Sequence, residues 1–420
     1  MAEPSETPNI DGANAGGGFV GTFFSPEFIE DPYPSYRFLL EHQPLFKVPD
    51  APLYIATRYA DCQDIVRDRR LGHAFRDGLV AQWGESADKV LADNAVFRNL
   101  GNSILLMDPP DHRRIRGLVA KAFDARRTEA MRPRVRALAH RLIDAFEADG
   151  EGDLVSLFTY PLPVIVICEM LGIPEADHDR FIHGNRIAGR VIDPTPMTPE
   201  ELAEANAGSL ESFAYFAALL DARRARPEDD LLTALVQAET EDGKLSYEEM
   251  VANVSLLFGA GHETTVNLMG NGLLALWRNP EQLAALRADL SLMPRAVEEM
   301  LRFDSSVQLT GRKALEDLEF KGLQLRKGDQ ILALIGAANH DPAAFSEPER
   351  FDISRDEEKP LSFGGGIHHC LGAQLTRVEA VEALQVLFER LPKLELLDVD
   401  APKRKPTITL RGLTELRARW

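Results

Sequence analysis

The segment Phe363-Gly364-Gly365-Gly366-Ile367-His368-His369-Cys370-Leu371-Gly372 brings a cysteine, two histidines and a glycine run together. Consecutive glycines leave a backbone without side chains, suited to lying against a flat ligand. A helix is predicted from Leu371 to Leu391, which puts Cys370 at its start. There the free amides and the positive dipole end favour thiolate over thiol. A thiolate so placed is a strong metal ligand, and a cysteinyl haem iron is one outcome of that chemistry. The plainer alternative is a buried structural cysteine beside a turn. That reading is adopted for Cys62 and Cys168, which sit inside helical patterns without partners. Two adjacent histidines and a cysteine cannot easily converge on one tetrahedral metal centre.

A second stretch, Ala260-Gly261-His262-Glu263-Thr264-Thr265, sets an acid beside two hydroxyls in an otherwise apolar sequence. Such an acid is costly in an interior unless it has a partner or a task. As a proton relay, Gly261 would leave room beside the metal and the Thr264 hydroxyl would donate to dioxygen. Glu263 would link them to solvent or to a buried polar network. A helix bend with back-bonded threonines is the competing explanation.

The first segment resembles the haem-binding signature of the cytochrome P450 family at Phe363, Gly366, Cys370 and Gly372, with Gly364 and His368 as in its bacterial form. The second resembles that family's oxygen-activating motif at every position. The resemblance implies a single, mainly helical, triangular-prism-like fold with a minor β region. Haem b would lie between a long central helix and the cysteine-bearing helix, with Cys370 as axial ligand. Its propionates would be met by His112, Arg116, Arg312 and His368. Thr264 and Glu263 would deliver protons beside Gly261. Glu299, Arg302 and Arg350 would form a buried structural triad, worth little if it were only a surface pair. The implied activity is a monooxygenase inserting one oxygen atom from O2 into a small hydrophobic substrate, by hydroxylation or epoxidation. Two rivals are a relative that couples or closes rings without inserting oxygen, and a non-catalytic haem sensor or carrier. The carrier has no use for Gly261, Glu263 and Thr264.

The basic cluster Arg113, Arg114, Lys121, Arg126 and Arg127 would, by the same resemblance, receive an acidic ferredoxin, itself served by a ferredoxin reductase. Charge runs are otherwise most often solvated faces. The expected substrate lining is 73–105, 178–200, Leu257, Ala260, Val307 to Leu309 and Leu410 to Leu413, with Gln308 and Arg411 as polar contacts. A monomer is expected.

The elements that position these residues are mostly helices. Ser246 to Asn279 reads as one helix, opened by a Ser246/Glu249 capping box and stopped before Pro280. At 1.5 Å per residue it is on the order of 50 Å long. Its middle, Val254 to Gly261, is apolar on nearly every side and should run through the interior. The stretch 112–148 is amphipathic, and shorter helices are predicted over 280–289 and 294–304. Asp317 to Leu325, Gln330 to Leu334 and Pro406 to Leu410 read as β pieces, the first two separated by the turn Arg326-Lys327-Gly328-Asp329. Residues 1–20 read as a frayed polar tail and 21–420 as one domain.

Composition is that of a globular protein, 45% hydrophobic and 27% charged. A net charge of −19 argues against a general nucleic-acid binder. The opening residues lack a secretory signal, and the longest apolar runs are too short for a bilayer, so a cytoplasmic protein is expected. Three widely spaced cysteines imply no disulfide framework.

Overall fold

The computed structural model describes residues 23 and 25–420, apart from 123–124, 183–186, 195–196 and 243–244; the expected tail over 1–20 lies outside them. The long central helix runs Tyr247–Arg278, with both halves of the capping box formed: the Glu249 amide donates to Ser246 Oγ at 3.1 Å and the Ser246 amide to Glu249 Oε2 at 2.8 Å. Thr265 to Leu276 is buried on every side. The stretch expected to be most interior differs. Val254 and Leu257 are buried, yet Ala260 is exposed and a side chain at Gly259 would meet open space. An apolar run here lines a hollow rather than filling the core.

Helix Ala373–Arg390 begins two residues later than expected, because the loop first closes on itself through the Cys370 amide and the Phe363 carbonyl at 3.0 Å. A 3.3 Å contact between the Thr265 and Thr376 hydroxyls ties it to the central helix. The amphipathic stretch 112–148 forms three helices, Asp111–Ala122, Ala125–Ala130 and Arg132–Phe146, the last admitting Pro133 in its first turn, where its missing N–H costs nothing. Helices Pro280–Ala288 and Met293–Phe303 match expectation. Helix Pro199–Ala225, with its own Thr198/Glu201 capping box, lay outside the sequence reading.

The β region is small. One sheet orders its strands Leu45–Lys47, Leu53–Ala56, Gln330–Ala333, Thr310–Ala314 and Leu71–Gly72. Its one parallel pairing, Leu53↔Gln330 to Ala56↔Ala333, joins distant parts of the chain. Asp317 to Leu325 is a tight hairpin, Leu318–Phe320 against Leu323–Leu325. Pro406 to Leu410 is not a strand: the amides of Ile408 and Thr409 donate instead to the buried Asp193 carboxylate at 2.9 and 2.8 Å. Only Leu410 bridges to Val307. Among the described residues no helix is long and apolar enough to cross a membrane.

The structural triad needs one correction. Glu299 and Arg302 are buried and joined by two hydrogen bonds of 2.7 and 2.8 Å. The third member is Arg355, 10% exposed and 3.3 Å from Glu299. Arg350 is 57% exposed and faces Glu347 and Asp352; only its backbone joins, accepting from Arg302. A reverse-turning loop places the side chain by tertiary path, which local spacing does not reveal. Arg302 also donates to the carbonyls of Asn339 and Pro348, so it holds the loop that precedes the cysteine. We expect Arg355→Ala to cost about 1.5–3 kcal/mol in denaturant unfolding, the range for a hydrogen-bonded charge. Arg350→Ala should stay within about 0.5 kcal/mol, as for surface changes. The reverse ranking would restore Arg350 to the triad.

Candidate active site

Cys370 stands at the end of a loop that the glycines press onto helix Tyr59–Arg67. Gly366 has φ +63°, and a Cβ there would lie 2.3 Å from the Val66 carbonyl oxygen, so only glycine fits. The glycine run therefore serves a close backbone approach, beyond any role against a ligand. The Cys370 side chain opens on one side and is enclosed on the others. Burial pushes its thiol up from the ordinary value, against the opposing pull of the Gly372 amide, Arg116, Arg377 and the Ala373 amide. Burial thus works against the thiolate that the helix start favours, and a cation bound at the sulfur would tip the balance back. Cys62 and Cys168 are buried, and burial raises both thiols, that of Cys168 to about 12. They are inert core residues.

Beside this loop the chain gathers basic groups. The rings of His112 and His368 lie 4.2 Å apart, and His73 packs on His368 at 4.6 Å. The Nε2 atoms of both His112 and His368 are buried without a hydrogen-bond partner among the described residues. Burial, reinforced by the neighbouring cations, pushes His368 down to about 2, His73 to about 3 and His112 to about 4. Arg312 is 5% exposed and pushed down to about 10 by burial, with Asp108 alone opposing. Asp108 is committed to the amides of His73 and Ala74. Arg116 donates to the His369 carbonyl. Unpartnered imidazoles, and a buried guanidinium whose bonds go only to the Thr310 hydroxyl and the Gly311 carbonyl, converge beside a cysteine and fit a planar dianion held by its sulfur, which is what haem and its two propionates present. His73 was missed in the sequence; nothing around it marks it, and only the pairing of Leu71–Gly72 with Lys313–Ala314 delivers it.

On the facing helix, Thr264 makes only a long back-bond to the Ala260 carbonyl, 3.5 Å. Glu263 pairs with Lys405 at 2.5 Å, and Lys405 also donates to Asn267. Gly261 does not open toward the cysteine: a Cβ there would meet Ile167 at 2.9 Å, so the glycine permits close packing of helix Pro161–Leu171. Ala260 occupies the open position instead. The expected polar contacts with substrate also differ. Gln308 is bonded to Tyr36 and Ser305, and Arg411 to Asp304 and the carbonyls of Ile29 and Glu30. Both are internal braces. A cavity of about 450 Å³ opens along the 73–105 part of the expected lining, bordered by Phe75, Arg76, Leu91 and Arg98, and reaches beyond it to Asp108 and Leu315.

The basic cluster is partly neutralised. Arg114 is held by Asp111 and Glu249, and Arg127 lies 3.8 Å from Asp229. Arg113 and Arg126 are exposed, and the side chain of Lys121 lies outside the described residues.

Comparison with known proteins places this architecture. The profile of the family described as "Cytochrome P450" matches residues 217–411. Cytochrome P450 133B2 of Xylella fastidiosa is 41% identical, spanning 93% of this chain and 97% of its own. The vitamin D(3) 25-hydroxylase of Pseudonocardia autotrophica is 38% identical, spanning 94% of each. The crystal structure of P450BioI, in complex with acyl carrier protein bearing hexadec-9Z-enoic acid, superposes with a TM-score of 0.86 at 35% identity, covering 94% of this chain and all of that one. A mainly helical haem–thiolate class is thus the one that fold and site share. The chain belongs to the cytochrome P450 family and is a cytochrome P450 monooxygenase.

The depressed imidazoles have a pH consequence. Their folded pKa values lie below the ordinary 6.5, so the unfolded chain binds more protons and stability falls as pH drops below about 6.5 toward 4. Bound carboxylates would oppose that shift. Thermal unfolding from pH 7 to 4 should therefore show a steep loss in haem-free protein and a shallower one after haem loading, with His112→Gln flattening the haem-free curve. Parallel curves for the two forms would contradict the propionate assignment.

Proposed function

We propose that this enzyme inserts one oxygen atom from O2 into a small hydrophobic substrate, with electrons from a separate ferredoxin and its reductase. The observation that carries the reading is the acid–alcohol pair Glu263–Thr264 on the open turn of the central helix, on a fold whose cysteine and gathered histidines and Arg312 suit haem. Haem b, when bound, supplies the redox centre at which dioxygen is activated. Cys370 ligates its iron; His112, Arg116, Arg312 and His368, joined by His73, take its propionates. Phe363, Gly366 and Gly372 shape the ligand loop, and Gly261 sets the helix spacing that holds the pair in place.

The Thr264 hydroxyl, held only by its long bond to Ala260, would be free to turn and donate a proton on the open side of the helix. Glu263 and Lys405 are 18% and 21% exposed, so the acid reaches solvent and can replace the proton that Thr264 passes on. An apolar substrate is supported by the internal commitment of Gln308 and Arg411, which leaves Leu257, Ala260, Val307 and Leu410 to meet it. The solved structure of CYP267B1, similar at a TM-score of 0.85, holds myristic acid. The exposed Arg113 and Arg126 suit steering of an acidic electron donor, which salt would weaken.

One finding favours a second reading. The enzyme CxnD, described as forming a C–S bond, superposes at a TM-score of 0.84 and 32% identity. Under labelled O2 the product should gain the label from oxygen insertion; bond formation alone would leave its mass unchanged. Reduced protein with carbon monoxide should show the red-shifted Soret band of sulfur ligation, lost in Cys370→Ala. Thr264→Ala should retain the substrate-induced spin shift while product per NADH falls about 10- to 100-fold, as for loss of a positioned proton donor. An unlabelled product, or unchanged yield in Thr264→Ala, would remove the oxygen-insertion reading.

A further inference from the structure

Two side chains from the C-terminal third of the chain grip the acid–alcohol pair from outside its helix. Lys405 Nζ donates to Glu263 Oε1 at 2.5 Å and to Asn267 Oδ1 at 2.9 Å. Glu263 and Asn267 are one turn apart on a common helix face, so a single ammonium spans both. Ser306, 5% exposed, donates its hydroxyl to the backbone carbonyl of Thr264 at 2.8 Å. A side chain bonded to a mid-helix carbonyl tilts that peptide outward and loosens the ladder locally. The segment carrying Gly412 comes so close that a Cβ there would lie 2.0 Å from Asn267 Oδ1, so glycine is what admits it.

These anchors belong to one braced body. The Arg411 amide donates to the Ser306 carbonyl at 2.8 Å, the Gln308 amide to Thr409 at 2.9 Å, and the Lys405 amide to Gly412 at 3.0 Å. Asp304 holds it down, receiving Arg411 at 2.7 Å and Arg404 at 3.3 Å with all three nearly buried. The Asn271 side chain on the central helix donates through Nδ2 to the carbonyls of Asp304 and Arg411. So much buried charge is costly to assemble and strongly resists displacement once paired.

We propose that Lys405 and Ser306 are positioning residues for proton delivery: Lys405 sets where the Glu263 carboxylate stands and joins it to solvent, and Ser306 sets the peptide that carries the Thr264 hydroxyl. Asn267 gives the ammonium a second acceptor, so Glu263 can turn toward Thr264 without leaving Lys405 bare. The proposal rests on the roles given above to Glu263 and Thr264.

The test uses the holoenzyme with one turned-over substrate and the variants Lys405→Met, Lys405→Arg, Ser306→Ala, Ser306→Thr, Glu263→Gln and Glu263→Gln/Lys405→Met. Product per NADH, the D2O effect on turnover, the substrate-induced spin shift and the thermal midpoint are measured for each. Lys405→Met and Ser306→Ala should each lower product per NADH about fivefold, a barrier change of about 1 kcal/mol, and raise the D2O effect with the spin shift intact. Lys405→Arg and Ser306→Thr, which keep the donor, should recover most of the yield. In the Glu263→Gln background, Lys405→Met should lower the yield no further, and the midpoints should show a non-additive pair. A yield that falls equally in both backgrounds, with additive midpoints, would mean that Lys405 acts by general stability, overturning its role. Unchanged yield in Lys405→Met and Ser306→Ala while Glu263→Gln is impaired would overturn the anchors and leave the acid. Unimpaired Glu263→Gln would remove the acid's role itself, and the proposal with it.

Discussion

The spacing between two helices governs the rest of this structure. The central helix carries the open turn Ala260–Thr264, and the helix after Cys370 carries the sulfur; the Thr265–Thr376 contact fixes how they meet. Neither helix could hold that relation alone. On the sulfur side, the loop is pinned by its own Phe363–Cys370 backbone bond and by Gly366 pressed on Val66. On the oxygen side, Gly261 lets Ile167 approach and the Asp304–Arg404–Arg411 brace backs the other face. Breaking a buried ion pair leaves an uncompensated charge, so charge reinforces the register here while apolar burial supplies the bulk.

What was legible in the sequence follows from locality. The capping box at Ser246, the proline stop at Pro280 and the glycine–cysteine run are all short-range devices, and each appears where its residues stand. The 3.6-residue pattern found most of the helices for the same reason. Legibility ends where chain-distant segments meet. Arg355 replaces Arg350 at Glu299 because a loop returns upon itself; His73 arrives through strand pairing; Lys405 reaches Glu263 across most of the C-terminal domain half. Pro406 to Leu410 looked like a strand because its residues favour one, but Asp193 captured two of its amides first. Tertiary hydrogen bonding overrides propensity when the competing acceptor is a buried carboxylate.

The histidines and Arg312 beside the cysteine loop, set against the triad, show how a binding group can be told from a structural one. Both are buried and built from ionisable side chains. At Glu299 the accounting of charge closes: Arg302 forks onto it, the Asp352 amide donates to it, Arg355 stands 3.3 Å away as a second cation, and the spare donors of Arg302 reach carbonyls. No charge is left there for a ligand to balance. Around His368 the accounting stays open, with cations and imidazoles facing one another and the nearest carboxylate spent on backbone amides. An open balance of one sign implies a ligand of the other.

Glu379 tests that logic, because it too is unsatisfied. It is fully buried on the cysteine helix with both carboxyl oxygens lacking partners among the described residues. Burial raises its pKa well above the ordinary carboxylate value, which favours the protonated, neutral form. A carboxyl can discard its charge by taking one proton, and the imidazoles of His73, His112 and His368 do the same by losing one. Arg312 cannot: even pushed down to about 10, its guanidinium stays charged at neutral pH. Titratable groups of either kind can therefore be accommodated in the interior without any partner, whereas a buried arginine cannot. Of the residues facing the cysteine loop, Arg312 is accordingly the one whose presence most directly requires an anion beside it.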